Sequence, residues 1–463
     1  MSAGATGAPR EGSAPRGAAA PATEGSDGLP RLLGVKDLVL LVLGTVIGSG
    51  VFLVPAVVLR QSGGSLGVAL LVWLVAGVLS VLGALTYAEL AVSRPGAGGL
   101  YLYIRDAFGR LPAFLYGWSS FLVIATGSLA TLAVAFSSYL QTLVPLSPVE
   151  AKGAAVLMLV VLAVLNVRGT RGSVGVQNGS TLLKVTAIVA MSVALVARGP
   201  SMPPLSAWWP DALPAGFLAG VGLAMVGVLW AYEGWQYVTF SAGETVAPQR
   251  TFPRGIGVGS AVLVGVYLLA NLGYVAALGV PGVMGSERVA AEAMASQFGV
   301  ASSRLIAVVI LVAMFSASNG LILTTSRLYY AMARDGLFFA RLAELHPRRG
   351  TPAVAVLALT GWAALLALSG TFEVLLTYVV FAGWIFYGLG AASLLVLRRR
   401  EGAPAGFRVP GYPVTTVAFV VASAGIVGNA LVSAPVQGLI GSSMVLSGVP
   451  AYWWWRRKGG ARG

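Results

Sequence analysis

The chain has 463 residues, 57% of them hydrophobic and only 10% charged, whereas roughly 25% charged residues is usual for a soluble domain, so bulk water is not its main solvent. A net charge of +14 would suit a nucleic-acid partner only if Lys and Arg gathered on one face or in one domain; here they recur at the ends of alternate apolar runs, which argues against that partner. With no Cys and the single His346 in a charged segment, a disulfide framework, a Cys-based zinc site and histidine catalysis inside a membrane are excluded.

Residues 1–32 are mostly Ala, Gly, Pro and Ser with scattered charge, a composition that cannot bury enough apolar surface to order itself, and they are expected to form a disordered tail. No signal peptide is visible, because the first apolar run is far too long for a cleaved one. Beyond the tail, stretches 38–59, 61–88, 111–149, 255–286, 350–372, 374–397 and 409–455 carry no Asp, Glu, Lys or Arg. A helix needs about 20 apolar residues to cross a hydrocarbon core, so the chain reads as an all-α membrane protein with about twelve spans. They are placed at 37–59, 66–91, 111–142, 152–168, 174–197, 215–241, 255–279, 302–332, 352–369, 372–397, 413–433 and 436–455.

The first span is interrupted by Gly44-Thr45-Val46-Ile47-Gly48-Ser49-Gly50-Val51, three glycines and two small hydroxyl residues at mid-depth. Backbone that leaves helical geometry in a membrane is tolerated only where it lines a cavity or is buried in protein. Unwound here, the N–H groups of Ser49, Gly50 and Val51, backed by the positive end of a second half-helix, would form a site for a carboxylate. A face of small residues packing against a neighbouring helix accounts for the same pattern.

The fifth span carries Lys184 in Leu182-Leu183-Lys184-Val185-Thr186. Two readings are open: a stem that snorkels to the surface, or a fixed cation between helices that replaces a coupling sodium ion and contributes to a state-dependent switch. The sixth span contains Leu229-Trp230-Ala231-Tyr232-Glu233-Gly234-Trp235-Gln236, with a charge and a glycine among aromatics. A break there would offer carbonyls to an ammonium group, with Trp230 covering the ligand; a protonated Glu233 bonded inside the bundle is the competing reading. Gly-interrupted helices at matching positions of two halves are the best sequence pointer to a transporter site.

Residues 100–108 after the second span and 287–298 after the seventh read as short non-spanning helices on opposite sides. Their equivalence predicts an inverted repeat, spans 1–5 against 6–10, unless it is a coincidence of interfacial helices. With both termini inside, 24 of the 30 Lys and Arg fall on that side, so both termini are expected to be cytoplasmic. The divisions expected are a cytoplasmic tail at 1–32, a transporter core at 33–400, spans 11–12 at 401–456 and a second cytoplasmic tail at 457–463.

Several ordered motifs together resemble the amino acid–polyamine–organocation superfamily, and within it the L-type amino acid transporters, over about residues 33–455. They are Gly48-Ser49-Gly50-Val51-Phe52 with Pro55, Tyr87-Ala88-Glu89-Leu90, Pro95-Gly96-Ala97-Gly98-Gly99 and Ala107-Phe108-Gly109 with Leu111-Pro112-Ala113-Phe114. Trp230-Ala231-Tyr232-Glu233-Gly234-Trp235, then Glu244 with Pro248 and Arg250, and finally Ser318-Asn319-Gly320 with Ser326-Arg327 complete the set. The resemblance implies a leucine-transporter-type fold with spans 1 and 6 unwound, two added C-terminal helices and no enzyme activity, metal or cofactor.

It further implies that an amino acid's carboxylate binds at Ser49 and Gly50 and its ammonium at the carbonyls of Ile47, Trp230 and Glu233, that Trp230 is a gate, and that Lys184 stands where relatives hold sodium. Sodium-independent exchange in a plasma membrane is the activity implied, with proton-coupled uptake, polyamine uptake or amino acid sensing as alternatives. Two departures stand out. Lacking Cys, the chain cannot form the disulfide to a partner subunit seen in eukaryotic relatives, and Glu233 stands where many relatives have Gly or Asp.

Overall fold

Why the chain folds as it does follows from its solvent: with no water to satisfy peptide groups, each segment bonds its own backbone, and the described residues form helices with no sheet and a single bridge, Leu33 to Thr245. The computed structural model describes residues 31–212, 216–369, 372–433 and 435–459. The expected tail at 1–32 falls outside them except for its last two residues. Leu32 is not loose: its N–H, like that of Leu33, donates to Glu244 O, at 2.8 and 3.0 Å, and Val246 N–H returns to Leu33 O. The expected tail at 457–463 is likewise shortened, since a helix runs to Gly459 and only 460–463 lie outside the described residues.

Along the chain the first span is α1 (Val35–Val46) and α2 (Gly50–Gln61), the second is α3 (Leu66–Ser93), and α4 (Leu100–Phe108) follows without spanning. The third joins α5 (Arg110–Ser119) to α6 (Ala125–Leu140) through a π turn at Ser120–Ile124, and α7 (Pro148–Arg168) and α8 (Thr170–Arg198) are the fourth and fifth. The sixth is α9 (Phe217–Ala231) continued by a 3-10 segment at Trp235–Glu244, the seventh α10 (Pro248–Gly285), and α11 (Val289–Phe298) again lies between spans. Then come α12 (Val300–Arg334), α13 (Ala353–Ser369), α14 (Phe372–Glu401), α15 (Val414–Ser433), and α16 (Pro435–Leu446) with α17 (Gly448–Gly459).

Among the described residues nine helices are long and apolar enough to cross a bilayer, ten when the bent α1–α2 pair counts as one. Of the other two expected spans, the ninth falls where it was expected and the twelfth is divided. The ninth, α13, has 17 residues, and the twelfth is not one rod but two 12-residue helices meeting at Ser447, whose Oγ accepts from Trp118 Nε1 at 3.0 Å. The seventh span starts earlier than expected, and its backbone leaves helical geometry at Gly279 (φ 68°), where it was expected to end. Pro248 sits at its first turn, where a missing N–H costs nothing, so Arg250 and Arg254 are helical rather than in a loop. The fourth span is well started, by a capping box between Ser147 and Glu150.

The packing carries the inverted repeat. Helix α4 touches α5, α14 and the 3-10 segment, that is spans 3, 10 and the second half of 6. Helix α11 touches α12, α10, α8 and α2, that is spans 8, 7, 5 and the second half of 1. Apart from the α11–α10 contact, exchanging spans 1–5 with 6–10 converts one set into the other, and five crossings between them put the two helices on opposite sides.

Helix α8 shows how the bundle is held. Its buried face carries Ser173, Gln177, Thr181 and Lys184, while Leu182, Leu183, Val193 and Val196 point outward, polar inside and apolar outside. Asn319 of α12 binds this face, donating to Ser173 O at 3.1 Å and Gln177 Oε1 at 3.0 Å, and its Oδ1 accepts from Asn166 of α7 at 2.9 Å. Such interhelical bonds replace the hydrophobic drive that lipid cannot supply. Ion pairs close one end of the bundle, where the even-numbered spans finish. Glu89 at the end of α3 accepts both Nε and Nη2 of Arg398 in α14, at 2.6 and 2.5 Å, and also Val409 N–H. Glu244 and Arg327, both buried, pair at 2.7 Å.

Candidate functional site

Two chain breaks meet at the middle of the bundle. In the first span α1 ends at Val46, α2 begins at Gly50, and the two axes differ by 51°. In the sixth, the α-helix ends at Ala231 and the chain resumes as the 3-10 segment at Trp235, with Gly234 at φ 135°.

Each break is fitted to the other through its glycine. A Cβ on Gly50 would lie 2.5 Å from Cα of Ala231, and one on Gly234 would lie 2.8 Å from the carbonyl carbon of Thr45, so a side chain at either position would push the breaks apart. Thr45 Oγ1 reaches Gly234 O at 3.2 Å. From α10, the Tyr267 hydroxyl donates to Ala231 O at 2.8 Å with Val46 O also in reach at 3.3 Å, which ties both breaks to a third helix.

The freed backbone is chemically asymmetric. At the first break the N–H groups of Gly48, Ser49, Gly50 and Val51 find no acceptor among the described residues, and Ser49 Oγ is buried without a partner. Four bare donors at the start of α2 favour an anion, as a helix N-terminus does generally. At the second break the carbonyls of Tyr232 and Glu233 accept no backbone N–H among the described residues, and lone pairs there favour a cation. The cavity between the breaks is lined by Gly48, Ser49, Gly50, Trp230 and Glu233, and closed by Ser128 and Leu132 of α6, Tyr237 and Leu321 of α12. At about 30 Å³ it has room for about two waters, so anything larger enters only if these walls part.

Of the residues singled out from sequence, Ser49, Gly50, Trp230 and Glu233 share this cavity, whereas Ile47 and Val51 are fully buried beside it. The Ile47 carbonyl turns away toward Lys184, leaving one lone pair, and Trp230 O already accepts Glu233 N–H at 3.0 Å. Lys184 does not snorkel. It has no exposed surface, and its ammonium donates to Gly44 O at 2.8 Å, Ile47 O at 2.6 Å and Ala313 O at 3.4 Å. Three carbonyls from α12 and the C-terminal end of α1 thus surround the Lys184 amino group.

Glu233 places Oε1 between two hydroxyls, Tyr237 and Tyr387, each at 2.8 Å, while Oε2 is buried with no partner among the described residues. Sequence reading missed both tyrosines and Tyr267. Nothing in an apolar run distinguishes a tyrosine that reaches a break from one that fills the core. Among the described residues no group of His, Asp and Glu could hold a metal.

A family model described as amino acid permease matches residues 33–454. The chain is 32% identical over 455 residues to the large neutral amino acids transporter small subunit 2 of Rattus norvegicus, covering 95% of this chain and 84% of that protein. It is 32% identical over 431 residues to the cystine/glutamate transporter of Pongo abelii, covering 89% and 83%. With the Asc-type amino acid transporter 1 of Mus musculus it shares 31% over 446 residues, covering 93% and 82%.

Proposed function

The chain belongs to the amino acid permease family, a family of transporters and not of enzymes, and from that premise we propose that it carries amino acids by sodium-independent exchange. The observation that carries the reading is the facing pair of breaks, one presenting four unpaired N–H groups and the other carbonyls with no backbone donor. The substrate carboxylate sits on Ser49, Gly50 and Val51. Its ammonium meets the carbonyls of Glu233 and Trp230 and the remaining lone pair of Ile47, with Trp230 lying over the ligand as a gate.

Alternating access needs two conformations of similar free energy that the ligand biases only through differential contacts. Spans 1, 2, 6 and 7 pack on one another and rock as a unit against the rest, and Tyr267 keeps the two breaks together during the movement. Lys184 supplies the positive charge that a coupling cation would otherwise bring, which supports sodium independence. The core spans 33–400, and the helices of 401–456 are accessory to it. Both termini face the cytoplasm of a plasma membrane, supported by the 24 of 30 basic residues on that side. With no Cys, the chain works without a disulfide-linked subunit.

Glu233 lines the cavity and its Oε2 is buried without a partner among the described residues, which supports admission of cationic amino acids. Purified protein in liposomes loaded with single amino acids tests the reading: labelled uptake should require an internal amino acid and be unchanged by removing sodium. Glu233→Gln should lower the preference for lysine over leucine at least tenfold, about 1.4 kcal/mol. Uptake into empty liposomes driven by a pH gradient would favour proton coupling instead, and an unchanged preference would turn Glu233 away from the side chain.

A further inference from the structure

Arg250 and Arg254 take part in none of the contacts described so far. They lie in the first two turns of α10, four residues apart and therefore on one face, and both are exposed. Neither guanidinium makes a hydrogen bond or ion pair among the described residues. The placement is electrostatically adverse twice over, since like charges one turn apart repel and the amino end of a helix is itself positive. An anion between them removes both penalties.

The surroundings are shaped for one. Gln249, Arg250, Pro253, Arg254, Gly406 and Phe407 line a pocket of about 530 Å³, with no acidic side chain in its lining among the described residues. Gln249 ties the pocket to the end of α3 by donating to Val92 O at 3.3 Å. Gly406 brings the 402–413 connection against it: a Cβ there would fall 2.1 Å from Gln249 Oε1. Further along the same row of α10, Val258 is 52% and Val262 41% exposed. At about 1.5 Å per residue these valines lie roughly 6 and 12 Å deeper than Arg254, where hydrocarbon begins.

We propose that this pocket binds the phosphate of an anionic phospholipid, the two arginines holding the headgroup and the acyl chains running along Val258 and Val262. On the topology proposed above it is a lipid of the cytoplasmic leaflet, where basic pockets at helix ends meet anionic headgroups. The apolar stripe leading out of the pocket is what favours a lipid over a free phosphate ion. Because the site joins span 7 to the connection after α14, the bound lipid braces the rocking unit against the rest of the molecule. None of this depends on which amino acid is carried.

The test is lipid retention by the purified full-length chain, read by native mass spectrometry after adding phosphatidylglycerol or phosphatidylethanolamine. The wild type should retain phosphatidylglycerol at least tenfold better, and the Arg250→Gln, Arg254→Gln double variant should lose that preference while keeping the wild-type melting temperature in lipid-free detergent. Equal retention of the two lipids, or an unaltered preference in the double variant, overturns the proposal. A second arm adds inorganic phosphate. Phosphatidylglycerol should stay bound, and its displacement at millimolar phosphate would assign the pocket to a soluble anion and overturn the lipid. A Ser49→Leu chain should retain lipid as the wild type does, so failure of the transport site and failure of the lipid site are separable.

Discussion

Ser49→Leu is expected to abolish amino acid binding, with a loss of at least roughly 100-fold, about 2.8 kcal/mol, in the affinity for any amino acid the wild type takes. Three effects act together. The hydroxyl that lines the cavity without a partner is removed, three carbons take its place beside a space of about 30 Å³, and the bare N–H groups of Gly50 and Val51 are screened by the new side chain. Scintillation proximity with a labelled amino acid reads the result. Size-exclusion profiles should match the wild type, because Ser49 Oγ makes no internal hydrogen bond whose loss would unfold the bundle. Binding within a few-fold of the wild type would place the substrate elsewhere.

Lys184→Ala should reduce exchange at least roughly tenfold while the protein still inserts, since its effect is on the position of α1 and not on the cavity. Removing the ammonium leaves the carbonyls of Gly44, Ile47 and Ala313 facing a void, and a buried acceptor without its donor costs about 1–3 kcal/mol. Two of these carbonyls flank the point where α1 ends, so that end is released. Lys184→Arg should not restore exchange, because a planar fork cannot replace a compact ammonium among three converging carbonyls. If the charge stands in for a coupling cation, sodium should raise the melting temperature of the alanine variant and leave the wild type unmoved. Exchange at the wild-type rate in Lys184→Ala would make the lysine a structural filler.

The broad architecture is legible in the chain because membranes enforce it: charge-free runs of the right length have to be helices, and glycines clustered at mid-depth mark where two of them part. The same logic fails where local sequence has two meanings. Pro248, Arg250, Pro253 and Arg254 read as a loop, yet a proline at the first turn starts α10 there. The run ending in Trp453-Trp454-Trp455 reads as one span, yet the chain breaks at Ser447.

Partnerships far apart in sequence are not legible at all. Glu89 and Arg398 are 309 residues apart, Glu244 and Arg327 are 83 apart, and each looks like an isolated charge until the helices are packed. Lys184 lies between these cases. Its neighbours Leu182 and Leu183 suggest a lipid-facing stretch, and only the register of α8, with Ser173, Gln177 and Thr181 on its inner face, turns it inward.

The most direct measurement is affinity for a matched set of ligands: one transported amino acid, its methyl ester, its decarboxylated amine and its N-acetyl derivative, each competing for the labelled parent. If bare N–H groups at the first break hold the carboxylate and carbonyls at the second hold the ammonium, masking or deleting either group should cost at least roughly 100-fold, about 2.8 kcal/mol. Binding of the amine or the ester as tight as that of the parent would contradict the account.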